Sequence, residues 1–296
     1  MARPFAPVTP PSLAEQDGRT FVRLVEIMQR LLAEDGCPWD REQSFESLRR
    51  YVLEEACEVI DAIDRGNRDE LKEELGDLAL QVAFQAELAR REGSFGPDDI
   101  VAAICEKLVR RHPHVFGDLE VGGSAEVLQN WERIKAAEKK DRGLLAGVPR
   151  SLPALVRAQR VGEKVARVGF DWPDARGSRE KVTEEIGELD AAIARGDKAA
   201  IEAELGDAIF ALVNLARHVG VDAESALRGT TNKFVGRFEH VEGRVKAAHG
   251  GWPGPGEPGL ALEGLDRYWG EAEARERAAA PGEPAPEGGR RDRRPP

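Results

Sequence analysis

The sequence predicts an all-α protein built from two tandem copies of one helical unit. Apolar residues recur at intervals of three and four through most of the 296-residue chain, which is the spacing of a buried helix face. Glycine and proline interrupt this spacing where helices are expected to end. A set of acidic residues recurs in register 130 positions along the chain (184 minus 54), which indicates an internal duplication.

The first copy is predicted to contain five helices joined by short breaks. The apolar spacing places them at residues 21–32, 48–63, 71–91, 98–111 and 126–140. Residues 36–40 and 112–114 interrupt the pattern and are predicted to be loops. Residues 65–67 form a tight turn between two long apolar stripes, so the second and third helices are predicted to form a hairpin.

The second copy repeats this order after a break rich in glycine and proline. Helices are predicted at residues 155–168, 181–194, 198–219 and 262–277, with Gly196 at the turn of a second hairpin. The predicted domains are residues 21–141 and 154–278, joined by a linker at residues 142–153. Residues 1–20 are predicted to be flexible and residues 279–296 to be a disordered tail, because proline, glycine and charge dominate there.

The composition limits the classes of function. The chain is 41% hydrophobic and 33% charged and has no apolar stretch of bilayer length, which argues against a membrane role. The proline-rich N-terminus lacks the pattern of a secretory signal, so a cytoplasmic location is expected. A formal net charge of -11 argues against binding to a nucleic-acid polymer. Three cysteines without a C-x-x-C pair are expected to be reduced thiols.

Each predicted hairpin carries a set of carboxylates. Two acidic residues three apart precede the turn and two follow it, at matching distances from the turn glycine. Because residues three apart share a helix face, each hairpin presents four carboxylates level with one another. The sets are Glu55, Glu58, Glu74 and Asp77 in the first copy, and Glu185, Glu188, Glu204 and Asp207 in the second. Glu54 and Glu184 point about 100° away, and are either supporting residues or candidate general bases.

Each set of carboxylates is a candidate metal site, because neighbouring carboxylates repel one another unless a cation lies between them. All-oxygen donors favour Mg²⁺, with Mn²⁺ as an alternative, over zinc. Di-iron sites in helical bundles use Glu-x-x-His, which does not occur at this place in either copy. The alternative is that these residues are solvated helix faces of an acidic chain, although repetition of the whole set in register favours metal binding.

Basic residues recur in the two copies as well. Lys107 and Arg111 lie four apart in the first copy, and Lys233 and Arg237 lie four apart in the second, 126 positions later (233 minus 107). Two cations on one helix face suit the phosphate groups of a ligand whose other oxygens are held by metal. A single pair of this kind is more often a partner in surface ion pairs.

The two copies differ at one position beside the carboxylates. Lys181 precedes Glu185 by four residues and shares its helix face, whereas the first copy has Tyr51 at that position (181 minus 130). The second copy is therefore better equipped for phosphate chemistry. Trp269 in the last helix is a candidate to close over a nucleotide. The tryptophans of the two loops, Trp39 and Trp172, either stack on a base or cap a core, and the core interpretation is preferred.

Several motifs occur in order from about Phe21 to Ala278. They are Cys37-Pro38-Trp39-Asp40, Leu53-Glu54-Glu55 with Glu58, Glu73-Glu74-Leu75-Gly76-Asp77, Arg110 to Phe116, Val168 to Trp172, Glu204-Leu205-Gly206-Asp207, and Asn214 to His218. In these residues the chain resembles MazG, the nucleoside triphosphate pyrophosphohydrolase family of the all-α pyrophosphohydrolase superfamily.

The resemblance implies tandem helical domains and a homodimer in which the hairpins pack into four-helix bundles. It also implies Mg²⁺-dependent release of pyrophosphate from NTPs and dNTPs, with the downstream domain as the catalytic one. It implies metal ligands at Glu185, Glu188, Glu204 and Asp207, and substrate contacts at Lys181, Lys233, Arg237 and Trp269. Ala200 stands where the family has a lysine, so Lys198 is the candidate replacement for that phosphate contact.

The sequence leaves alternatives open for the function. The favoured prediction is hydrolysis at the α phosphate, with Glu184, Glu185 and Glu188 as catalytic candidates and Glu184 as one candidate for the general base. A second hypothesis is a helical interaction protein that binds nucleotides or a regulatory partner without hydrolysis. A third is a relative specific for dUTP or dCTP. These residues identify neither the preferred nucleotide nor a regulatory partner.

Overall fold

A computed structural model describes residues 20–138, 143–254 and 259–279 of the chain. Within these ranges there are twelve α-helices and no β-strand, which confirms the all-α prediction. The chain divides into two units, Met1–Asp141 and Arg142–Pro296. The predicted flexible segment (1–20) and disordered tail (279–296) lie outside the described residues, apart from Thr20 and Ala279. No helix in the described ranges is both long enough and apolar enough to cross a bilayer.

The first unit contains seven helices in its described residues. They are α1 (Phe21–Leu31), α2 (Pro38–Arg41), α3 (Phe45–Arg65), α4 (Arg68–Arg91), α5 (Pro97–Arg111), α6 (Pro113–Phe116) and α7 (Ser124–Ala137). The apolar faces of α1, α3 and α4 meet in a core formed by Met28, Leu32, Leu48, Ala83 and Phe84. Other positions of the recurring apolar pattern are exposed, among them Leu53 (61%), Ile63 (54%) and Leu75 (49%), so the prediction that these stripes are buried holds only in part.

In the described part of the first unit, one charged residue is fully buried. Glu87 on α4 has 0% of its surface exposed. Its carboxylate accepts hydrogen bonds from Gln29 Nε2 at 3.1 Å and from Arg90 Nε at 2.7 Å. Because a buried charge is tolerated only when it is paired, these two contacts explain how a glutamate is accommodated there.

The second unit contains five helices in its described residues. They are α8 (Ala154–Ala166), α9 (Ala175–Arg195), α10 (Lys198–His218), α11 (Ala223–His249) and α12 (Leu262–Ala279). The helices α9 and α10 pack along one another, α8 packs on α10, and α11 packs on α12. Val241 and Val245 of α11 are buried together with Tyr268 of α12, and these three residues form a core cluster.

The two predicted hairpins form, and each turns at the glycine that the sequence indicates. Gly66 has a φ of 67° and Gly196 a φ of 66°, a left-handed conformation that glycine adopts without the penalty of a Cβ atom. The next residue caps the following helix, since the side chains of Asn67 and Asp197 accept hydrogen bonds from backbone N–H groups of α4 and α10. The short turn therefore sets α3 beside α4 and α9 beside α10.

Several helix boundaries differ from the prediction. The short helices α2 and α6 replace two predicted loops, because Pro38 and Pro113 stand at the first helical position, where proline favours a helical turn. The helix α9 begins at Ala175, six residues before the predicted start, because the Asp174 side chain caps it. The 27-residue helix α11 was indicated only by the spacing of Lys233 and Arg237.

Candidate functional site

Three carboxylates of the second unit meet between α9 and α10. Glu185, Glu188 and Glu204 each place one carboxylate oxygen within 4.8 Å of the others. Glu185 and Glu188 stand about one turn apart on α9, and the turn at Gly196 brings Glu204 of α10 alongside them. Glu185 is buried, with 5% of its surface exposed. The hairpin thus assembles three of the four carboxylates predicted for this copy.

The carboxylates act on one another electrostatically. Removal from water raises the pKa of Glu204, and the charges of Glu188, Asp207 and Glu185 raise it further. Asp207 contributes no oxygen to this group of three. Its charge is nevertheless close enough to raise the pKa of Glu204. Burial and the neighbouring carboxylates therefore both disfavour the charged form of Glu204.

Lys181 supplies one compensating positive charge. Its Nζ lies 2.6 Å from Glu185 Oε1 and 2.8 Å from Glu184 Oε1, which agrees with the predicted common helix face of Lys181 and Glu185. Hydrogen bonds with Glu184 and then with Glu185 raise the pKa of Lys181, so the ammonium group is charged at neutral pH. Lys198, by contrast, begins α10 and lies six residues before Glu204, about 9 Å away along the helix axis.

The residues of this group fit a hard divalent cation. All the candidate donors are carboxylate oxygens, which Mg²⁺ and Mn²⁺ prefer. A divalent cation among them would offset the repulsion that raises the pKa of Glu204. Glu185, Glu188 and Glu204 are the residues positioned to hold it, with Asp207 next to them.

A second set of predicted residues lies on α11 and α12. The Arg237 guanidinium is 5.5 Å from the ring centre of Trp269, within the range of a cation–π contact. The same guanidinium pairs with Glu273 at 2.6 Å and with Glu276 at 2.7 Å. Lys233 stands one turn before Arg237 on α11. The structure therefore brings Lys233, Arg237 and Trp269 together on one helix pair, and Lys181 and the carboxylates on another.

The first unit repeats the carboxylate group. Glu55, Glu58 and Glu74 each place one oxygen within 4.8 Å of the others. Burial raises the pKa of Glu55, and the charges of Asp77 and Glu58 raise it further. The pKa of Glu74 is raised by loss of solvation and by the charge of Glu58. The duplication therefore preserves the three-carboxylate arrangement as well as the sequence pattern.

The first unit differs beside these carboxylates, as the sequence predicts. Tyr51 stands at the position of Lys181, and the Arg50 guanidinium lies 4.5 Å from the centre of its ring. Trp39 packs edge-on against Tyr51, with 6.2 Å between ring centres. An aromatic pair therefore fills the place that an amine has in the second unit.

The arginine–tryptophan contact is also duplicated, although it was not predicted. In the first unit the Arg111 guanidinium lies 5.5 Å from the ring centre of Trp131 and pairs with Glu138. Hydrogen bonds from Arg111 and from the preceding arginine lower the pKa of Glu138 to about 2. A signal was present in the sequence, because Trp131 precedes Glu138 by seven residues, just as Trp269 precedes Glu276.

A polar network that was not predicted anchors the loop before α9 to the end of α10. Arg217 donates to Asp171 at 2.8 Å and to Asn214 at 2.9 Å. His218 Nε2 lies 2.9 Å from the same aspartate. Arg217 stands 130 positions after Glu87 (217 minus 87), so the two copies carry opposite charges at this place. The residues of the network belong to two motifs whose roles the sequence left unassigned.

The tryptophan of this loop makes a packing contact. A Cβ atom added to Gly177 would overlap Trp172 Cδ1, so the indole packs directly on the first turn of α9. Its ring centre is 6.4 Å from that of His218. Both loop tryptophans are nevertheless exposed, Trp172 by 40% and Trp39 by 52%, and neither belongs to a core cluster of the described residues, so the preferred core interpretation is wrong.

Comparison with known proteins identifies relatives of the chain. A family model described as the MazG nucleotide pyrophosphohydrolase domain matches residues 43–116 and 177–242, one segment in each unit. The chain is 48% identical over 260 residues to the nucleoside triphosphate pyrophosphohydrolase of Escherichia coli (strain K12), covering 86% of this chain and 97% of that protein. It is 44% identical over 260 residues to the nucleoside triphosphate pyrophosphohydrolase/pyrophosphatase MazG of Thermotoga maritima, covering 87% and 97%.

Proposed function

Because the chain belongs to the MazG nucleotide pyrophosphohydrolase family, we propose that it is a Mg²⁺-dependent enzyme that converts NTPs and dNTPs to monophosphates and pyrophosphate. The class, a nucleoside triphosphate pyrophosphohydrolase, follows from its identity with relatives of that name over nearly their whole length. The proposal adds two points to this class. The enzyme depends on Mg²⁺, with Mn²⁺ as an alternative, and it accepts both ribonucleotides and deoxyribonucleotides.

The observation that carries the proposal is the carboxylate group of the second unit. Glu185, Glu188 and Glu204 converge from two helices, and Lys181 lies beside them. A triphosphate bears negative charge that these carboxylates alone would repel, so a divalent cation between them and the ligand is required. Bound there, Mg²⁺ supplies Lewis-acid polarisation of the phosphate group and favours deprotonation of the attacking water.

The chain's own residues bind and orient the substrate around that group. The ammonium of Lys181 is placed to leave Glu185 and bind a phosphate oxygen, since it stands at the edge of the site on a flexible side chain. Lys233 and Arg237 are proposed to bind the terminal phosphates, and the Trp269 ring to cover the nucleotide. Glu184, which is exposed and hydrogen-bonded to Lys181, is the proposed acceptor of the water's proton.

Product analysis tests the proposal. With ATP or a dNTP and Mg²⁺, we expect the purified chain to yield monophosphate and pyrophosphate in equal amounts. Glu188→Gln and Glu204→Gln should each reduce the rate by at least about 100-fold, because each removes one charged metal ligand. Glu202→Gln, an exposed position on the same helix as Glu204, is the matched control and should retain the rate. Orthophosphate and diphosphate products, or turnover without a divalent cation, would contradict the proposal.

Two alternatives give different results in the same assay. A nucleotide-binding or regulatory interaction protein would release no pyrophosphate, and Glu188→Gln would leave its binding function intact. A relative specific for dUTP or dCTP would show turnover with that nucleotide alone. Rates measured across the common NTPs and dNTPs therefore separate all three.

We also propose that the enzyme is a homodimer in which α9 and α10 pack against a second copy. Ile186, Ile193, Leu205 and Ile209 of this hairpin are exposed apolar residues. Water-exposed apolar residues on one helical hairpin are typical of a protein interface. A four-helix bundle formed by two hairpins would cover them.

A further inference from the structure

A cavity of about 420 Å³ lies between α11 and α12 of the second unit. Its walls include Lys233 and Arg237 of α11, and Arg275 and Glu276 of α12. Gly236 also lines it, and a Cβ atom added there would meet no atom within 4 Å, so this glycine leaves its stretch of wall without a side chain. The cavity falls within the size range of sites that bind small molecules.

The walls of this cavity are basic, although the chain as a whole has a formal net charge of -11. Three of the lining side chains are cations, and Glu276 is the one carboxylate among the described lining residues. Arg237 is paired with Glu273 and Glu276. Lys233 and Arg275 form no ion pair with a carboxylate in the part of the chain that the structure describes. The cavity therefore has positive charge left over for an anionic ligand.

Arg275 is ordered at the cavity wall by a contact across the two helices. Its Nη1 lies 2.9 Å from Nδ1 of His240 on α11. Because a guanidinium only donates hydrogen bonds, the histidine nitrogen must be the acceptor. The contact holds the guanidinium in place and leaves its other N–H groups available, since the fork of arginine carries five donors.

We infer that Arg275 completes, with Lys233 and Arg237, a pocket for a diphosphate group. Two neighbouring phosphate units present several oxygens of the kind that guanidinium and ammonium groups bind most strongly. The inference rests on the proposed function, because that reaction supplies the group either as the terminal phosphates of the bound NTP or as released pyrophosphate. The family resemblance implies phosphate contacts at Lys233 and Arg237 but not at Arg275. The phosphate-binding role of Arg275 is inferred from the cavity and its charges.

The carboxylate of Glu276 competes with such a ligand for Arg237. It lies 2.7 Å from the guanidinium, where it occupies donors that a phosphate oxygen would use. Removing the Arg275 charge and removing the Glu276 charge should therefore change diphosphate affinity in opposite directions. A role of α12 in packing alone would not produce opposite signs.

The test is calorimetric titration of the full-length chain with inorganic pyrophosphate in the presence of Mg²⁺. We expect Arg275→Gln to raise the Kd about tenfold, which corresponds to about 1.4 kcal/mol. Arg267→Gln removes the same charge from an exposed position eight residues earlier on α12 that does not line the cavity, and should stay within about twofold of the parent chain. Glu276→Gln should lower the Kd about threefold. Circular dichroism checks that each variant keeps its helix content.

Equal effects of Arg275→Gln and Arg267→Gln, or weaker binding by Glu276→Gln, would overturn the inference. Binding of pyrophosphate is measured without turnover, so loss of affinity in Arg275→Gln supports the pocket even if ATP is not hydrolysed. Conversely, normal hydrolysis with unchanged pyrophosphate affinity rejects the pocket and keeps the proposed function. If Arg275→Gln weakens pyrophosphate binding and also raises the KM for ATP, the pocket binds the terminal phosphates of the substrate. If the KM for ATP is unchanged, the pocket binds the released product.

Discussion

Single residues of the second unit illustrate how far spacing alone predicts a contact. The pairing of Lys181 with Glu185 was predictable, because residues four apart on a helix face one another. The pairing of Arg237 with Glu276 was not, since it joins residues 39 apart through the packing of α11 on α12. The bond between the loop before α9 and the end of α10 likewise joins residues 46 apart. Contacts within one helix can be predicted from residue spacing, whereas contacts between helices depend on how the helices pack.

The Asp171–Arg217 pair makes the stability of the second unit depend on pH. Hydrogen bonds from Arg217 lower the pKa of Asp171 below its ordinary value. Because the folded pKa is the lower one, this stabilisation is complete above the unfolded pKa, about 4, and is lost as pH falls through the folded pKa. We expect Asp171→Asn to lower the free energy of unfolding by about 2 kcal/mol at pH 7. The difference from the parent chain should shrink below about pH 4.

Urea unfolding at a series of pH values measures this effect. The matched control is Asp190→Asn, because Asp190 is an exposed residue of α9 that forms no ion pair within the described residues. We expect the control to unfold at nearly the same urea concentration as the parent chain at pH 7. A difference between Asp171→Asn and the parent chain that stays constant down to about pH 3 would contradict the assigned role of Asp171.

At the scale of helices, the hairpins were the most predictable elements. Their apolar stripes are long, and Gly66 and Gly196 mark turns that require a positive φ. The short helices α2 and α6 were predicted as loops, because a single turn is too short to show helical spacing. The early start of α9 was missed because its first turn carries polar and small residues, which leave the apolar stripe without a visible beginning.

The exposed apolar face of the second hairpin gives a prediction about assembly. We expect Ile193→Glu to raise the dissociation constant of the proposed dimer at least about 100-fold, because it places an unpaired charge in the interface. Leu227→Glu on α11 is the matched control, since Ile193 and Leu227 are both 55% exposed. Sedimentation equilibrium measures both. If the two variants associate equally well, the hairpin face is not the interface.

At the scale of the whole molecule, the duplication was visible in the sequence, and the structure adds how far the copies have diverged. Both units gather three carboxylates, and both place an arginine on a tryptophan. They differ beside the carboxylates, where Lys181 of the second unit has its counterpart in Tyr51. The repeated spacing predicts which carboxylates converge in each hairpin. It does not predict which residues of other helices and loops surround these carboxylates.

This asymmetry predicts that turnover belongs to the second unit. In the full-length chain, the double substitution of Glu58 and Glu74 by Gln should keep the rate of pyrophosphate release within about threefold of the parent rate. The matched substitution of Glu188 and Glu204 should lower it by at least about 100-fold. Steady-state kinetics with a saturating nucleotide measures both variants. Comparable losses in the two would show that both units turn over or that they act together.

The opposite charges of Glu87 and Arg217 restrict genetic exchange between the copies. A recombination event that replaced α4 by α10 would put Arg217 where Glu87 is buried, without Asp171 to receive its guanidinium. The reverse event would leave Asp171 facing a second carboxylate, in place of the arginine that holds it. Either recombinant would contain an unpaired or repelled charge at a helix contact. Once these two positions had diverged, an exchange confined to this helix would destabilise the copy that received it.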